Sequence, residues 1–136
     1  MENKKHESEW CLLQNQFESY EKHSLYVKLV SILVLLVAEI SGVSAVLTFV
    51  ILVVLWLQDS IWKTFQSRLE PRLFQIEKYF REDADGIEFQ FNSEYQKVSN
   101  KGLALIREYT RQAVRPTIAF PHVVLILILL GCYVVR

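Results

Sequence analysis

Glu39 and His122 fall inside apolar runs, where an ionisable side chain is expensive to bury and often serves ion or proton handling. Glu39, with Ser44 and Thr48 just beyond it, could line a cation path if the segment around it dips into a bilayer. His122 lies close to Pro121 and Arg115, which favours a histidine at a membrane interface over a proton or metal group. Arg107, Arg111 and Arg115 form an i, i+4, i+8 column ahead of the last apolar run. On a cytoplasmic face each such charge draws anionic lipid headgroups with about 1 kcal/mol, and the same charges also set topology.

Other chemistry is set aside on spacing. Asp83-Ala-Asp85-Gly86 resembles part of a calcium loop, but with Gly86 in the sixth position Arg81 takes the first ligand position and Asn92 the twelfth. A helix-ending turn is the better reading. Cys11 and Cys132 form no CxxC, and His6, His23 and His122 share no metal-ligand spacing, so neither a disulfide framework nor a metal site is expected. No Ser/His/Asp set, glycine-rich phosphate loop or paired catalytic carboxylates stand out. The expectation is a protein without catalytic activity and without a cofactor.

The elements carrying these residues are read from the distribution of apolar side chains. Hydrophobic residues are 51% of the 136, only slightly high for a soluble domain, but they concentrate in Leu25–Leu57 and Ile118–Val135. Charges crowd into Met1–Lys28 and Gln58–Arg115. That alternation describes a polytopic membrane protein. The net charge of zero argues against a nucleic-acid partner. Glu2, Glu7, Glu9, Glu18 and Glu21 precede the first apolar run, unlike a signal peptide, so the N-terminus is expected to be retained.

Leu25–Leu57 reads as a helical hairpin. As one span its 33 residues would make a helix of roughly 50 Å against a hydrocarbon core of roughly 30 Å, with Glu39 near the middle. As two spans, 25–40 and 43–57 with a turn at 41–42, Glu39 reaches the far surface and Lys28 snorkels to the near one. The small residues Ala38, Ser41, Gly42, Ser44, Ala45 and Thr48 suit close approach of the two helices.

Outside the spans the pattern becomes striped. Trp10, Leu13, Phe17 and Tyr20 mark one face of an amphipathic segment within residues 1–24, with Ser8 as its N-cap. The lack of flanking Lys and Arg favours packing on the protein's own neighbours over lying on lipid. Trp62, Phe65, Leu69, Leu73, Ile76 and Phe80 form a narrow seam, with Asp59/Lys63 and Glu77/Arg81 as i, i+4 pairs opposite it. Pro71 predicts a kink or restart. Ile87, Phe89 and Phe91 alternate as a short extended piece, and Ser93 opens a second arm through Val114. Residues 58–115 should therefore fold as antiparallel helical arms, and Pro116 starts the third transmembrane helix, 116–136.

Of the 15 Lys and Arg, 14 fall in residues 1–28 and 58–115. With three spans these lie on one side, which the positive-inside rule makes cytoplasmic. The expected fold is an all-α membrane protein whose three transmembrane helices have amphipathic cytoplasmic extensions forming a short helical bundle. Its expected place is the bacterial inner membrane, N-terminus cytoplasmic and C-terminus opposite. The expected partners are the lipid bilayer and either further copies or another membrane protein, contacted through the seam. An assembly, regulatory or immunity-type subunit is the leading functional expectation. A homo-oligomeric ion channel or membrane-disrupting effector is the alternative.

Overall fold

A computed structural model describes residues 2–82 and 102–135, with side chains over 7–78 and 102–135. The described residues are all-helical: α1 (Glu2–Ser41), α2 (Ala45–Glu82), α3 (Leu103–Ala113) and α4 (Pro116–Val135). The Asp83–Gly86 turn, the Ile87–Phe91 alternation, the Ser93 cap and the side chain of Phe80 lie outside the described residues.

α1 and α2 are single helices of 40 and 38 residues, roughly 60 and 57 Å long. Each is about twice the thickness of a hydrocarbon core, so each carries an apolar half and a striped half. α1 is already helical from Glu2, which places Ser8 inside the helix rather than at its cap. Residues 2–7 contain no breaker, and a hydroxyl caps only where the preceding backbone leaves the helix. α2 likewise runs through Pro71 without restarting.

The chain reverses at Gly42, whose φ of 67° is the left-handed conformation that ends many helices. The Val43 amide donates back to the Ala38 carbonyl at 3.0 Å, closing the last turn of α1. A Cβ at Gly42 would meet nothing within 4 Å, so only backbone conformation resists substitution there. Gly42→Ala should therefore lower stability by about 1–2 kcal/mol, and Gly42→Asn by less, because asparagine tolerates this region. Detergent-unfolding midpoints in mixed micelles would measure both; equal midpoints for all three proteins would contradict the argument.

From this turn the two helices run antiparallel in one register, Ser24 meeting Asp59, Phe17 meeting Gln66 and Glu9 meeting Arg72. Buried small residues allow the approach. Ser31 and Thr48 satisfy their hydroxyls on the carbonyls of Val27 and Ser44 in their own helices, so neither needs a partner across the interface. α4 packs against both helices of the hairpin.

Two apolar cores form among the described residues. Leu35, Leu52, Leu125 and Leu129 join α1, α2 and α4, and Leu13, Leu69, Leu73 and Ile76 join the striped halves, with Trp10, Phe17 and Tyr20 against them. Three helices are long and apolar enough to cross a membrane, with most of their apolar stretch facing outward. Leu29, Leu33, Leu36, Val46, Val50, Leu127 and Leu130 are among the outward side chains. A contiguous surface of that kind is stable against lipid and not against water, consistent with an integral membrane protein.

Candidate functional site

Between the two cores lies a layer of polar side chains centred on Asp59. The residue follows the apolar run of α2 by two positions and its side chain is 0% exposed. The Ser24 hydroxyl of α1 donates to Asp59 Oδ1. Asp59 Oδ2 faces His122 Nε2 of α4 at 3.3 Å and Lys28 Nζ of α1 at 3.8 Å. One carboxylate thus ties together three helices. Because a carboxylate only accepts, Nε2 of His122 carries the hydrogen. His122 Nδ1 is buried and has no hydrogen-bond partner.

Trp56 covers this histidine, the two rings 6.2 Å apart and 12° from parallel. Its indole N–H donates to the carbonyl of Ala113 at 3.1 Å, which joins the centre to the last residue of α3. Pro116 opens α4 two residues beyond Val114, and the amides of Ile118 and Ala119 both donate to the Arg115 carbonyl. That short break delivers His122 to the level of Asp59.

Ser24, Asp59 and His122 are the residue types of a nucleophilic triad, and the structure brings together what their separation in sequence conceals. Their order is wrong for that chemistry. The carboxylate stands in the middle and accepts from both neighbours, whereas an activated serine must donate to the histidine. The Lys28 ammonium occupies the side where a cation would bind, and no three His, Cys, Asp or Glu gather among the described residues. The arrangement suits an electrostatic joint: opposite charges taken out of water and satisfied by one another.

Among the described residues, two forked arginine–carboxylate pairs lie in the striped half. Arg72 donates through Nε and Nη2 to the two carboxylate oxygens of Glu9 at 2.9 and 3.1 Å, both side chains almost fully buried. Arg68, one turn away, reaches Glu108 of α3 in the same forked manner at 3.0 and 3.4 Å. Gln112 Nε2 donates to Ser67 Oγ, and Gln66 Nε2 to the Phe17 carbonyl. Arginine matches a carboxylate through two parallel donors, so each pair fixes orientation as well as proximity.

The residues singled out from sequence are distributed as follows. Leu69, Leu73 and Ile76 are covered by Leu13 of α1 and its neighbours, so this part of the seam is closed within the chain. Trp62 and Phe65 are half-buried beside Tyr20, with His23 stacked on Trp62 at 4.9 Å. Arg107, Arg111 and Arg115 are all exposed. Thr48 is buried, Ser44 is exposed, and Glu39 is half-buried near the end of α1.

Two sequence assignments change. Asp59 is not on an exposed face with Lys63; it is the buried hub, while Lys63 bonds Gln66 and pairs with Glu21. Lys28 reaches Asp59 with its side chain 21% exposed, instead of only snorkelling outward. Glu77 is exposed as expected and accepts from the Trp10 indole; the side chain of Arg81, its expected partner, lies outside the described residues. The available signal was that Lys28, Asp59 and His122 each sit near the same end of an apolar run, so a three-helix arrangement places them at one depth.

Comparisons with protein-family models, with curated proteins and with solved structures find no match.

Proposed function

We propose that this chain is a three-pass protein of a cytoplasmic membrane, for a bacterium the inner one, with both long helices extending into the cytoplasm. It works there as a non-catalytic assembly, regulatory or immunity-type subunit. Placement of 14 of 15 basic residues on one side supports this orientation. The observation that carries the functional reading is mechanical. α1 and α2 pass unbroken from the apolar belt into the extension, the extension closes its own core, and two forked ion pairs lock it. Such a rigid stalk presents a surface and does not enclose a substrate.

Partner contact falls on what that closure leaves outside. Leu12 of α1 and Phe74 of α2 are exposed in the striped half, away from the apolar belt. A second copy or another membrane protein would cover them. Crosslinking in native membranes should trap a defined complex that Phe74→Asp and Leu12→Asp abolish while leaving the monomer folded. A monomer that crosslinks to nothing would overturn the assembly role. For orientation, Ser41→Cys should be labelled from outside the cell and Glu70→Cys only after permeabilisation, in a background lacking Cys11 and Cys132. Labelling of both from the same side would overturn the topology.

A further inference from the structure

α3 turns the side chains of Glu108 and Gln112 toward α2, where Arg68 and Ser67 meet them, and the carbonyl of Ala113 at its end accepts from the Trp56 indole. Its opposite face is apolar and uncovered: Leu103 is 84%, Ile106 59% and Val114 68% exposed. At about 3.6 residues per turn these three share one side. Arg107 and Arg111 run along one edge of it, and Arg115 follows in the break before α4. Glu108 is the one carboxylate of α3 and is drawn inward by Arg68, so the outer edge of α3 itself is cationic, while Arg115 borders a cleft that Glu21, Lys63 and Glu70 also line. Phe120, Val123 and Val124 of α4, a few residues beyond the break, are exposed as well.

We propose that α3 is a membrane-surface helix whose occupant is anionic phospholipid. Leu103, Ile106 and Val114 enter the boundary between headgroups and acyl chains, while Arg107, Arg111 and Arg115 hold headgroup phosphates. An apolar stripe edged by arginine is the pattern of helices that lie in this interface, with long cationic side chains reaching up to the phosphates. The seated helix fixes the Ala113 carbonyl that holds Trp56 over His122, so leaflet charge is coupled to the buried centre joining the spans. This inference rests on the cytoplasmic placement proposed above.

The test uses full-length protein in vesicles of phosphatidylcholine alone or of phosphatidylcholine with phosphatidylglycerol. A polarity-sensitive fluorophore is placed at Thr110→Cys, in the same cysteine-free background. It should be shielded from an aqueous quencher in the anionic vesicles and exposed in the neutral ones. Each arginine is worth about fivefold in partition, so R107Q/R111Q/R115Q should lose about a hundredfold and behave alike in both lipids. Raised salt should weaken the shielding in the anionic vesicles. Equal shielding in both vesicle types, shielding retained by the triple variant, or accessibility matching a probe at Glu70→Cys would each overturn the proposal. Sidedness of labelling at Glu70→Cys separates that failure from an inverted topology.

Discussion

Arg72→Leu should destabilise the protein by about 3–5 kcal/mol, because it leaves the Glu9 carboxylate buried without its forked partner. Glu9→Leu should cost about the same, by removing the carboxylate that neutralises the buried guanidinium. The double variant Glu9→Leu/Arg72→Leu should recover most of the loss, since replacing both members of a buried pair by apolar groups is commonly neutral or stabilising. Detergent-induced unfolding in mixed micelles, followed by far-ultraviolet circular dichroism, would give all three midpoints. A double variant as unstable as either single one would show that the site depends on Arg72 or Glu9 for packing, not for pairing. The contrast is informative because Leu73 and Ile76 lie immediately beside this pair in the apolar core.

The second large effect is expected at Asp59. In Asp59→Ala, the Ser24 hydroxyl, the His122 Nε2–H and the Lys28 ammonium lose their shared acceptor in one step. Each buried donor left without an acceptor costs about 1–3 kcal/mol, so Ser24 and His122 together cost about 2–6 kcal/mol, while the partly exposed Lys28 can turn to water. Asp59→Asn should fall between wild type and Asp59→Ala: its side-chain carbonyl still accepts, but the charge facing Lys28 is gone. The same micelle titration measures the series, with amide exchange in α4 reporting whether that helix detaches first. Stability of Asp59→Ala within about 1 kcal/mol of wild type would rule out the joint.

Some of this organisation is legible in the sequence and some is not, for identifiable reasons. The hairpin is legible because length and charge act along the chain: a run too long for one crossing, a glycine near its middle, and basic residues at both ends. The stripes at Trp10–Tyr20 and Leu69–Ile76 are legible because helical periodicity is local. Asp59 is not, because its meaning depends on register between helices. Taken singly, Lys28, Asp59 and His122 each resemble ordinary interface residues beside an apolar run. Only the antiparallel pairing set by Gly42, together with the break ahead of α4, puts them at one depth. Glu9 and Arg72 are hidden for the same reason, being far apart in sequence and alike in type to the solvated charges around them. Ser8 misleads in the other direction: a good capping residue marks no boundary when nothing before it stops the helix.

The break at Val114–Arg115 has a consequence for motion. α1 and α2 are stiff rods, each continuous from one end of the molecule to the other, so a twist applied to either would be carried along its whole length. α4 has no such continuity with α3. It is hung from a two-residue joint and held to the rods by the apolar contacts of Leu125 and Leu129 and by one polar tie, His122 to Asp59. If one span of this protein pivots while the others stand still, it is α4, sliding on its leucine contacts, with the His122–Asp59 tie as the polar catch that must let go.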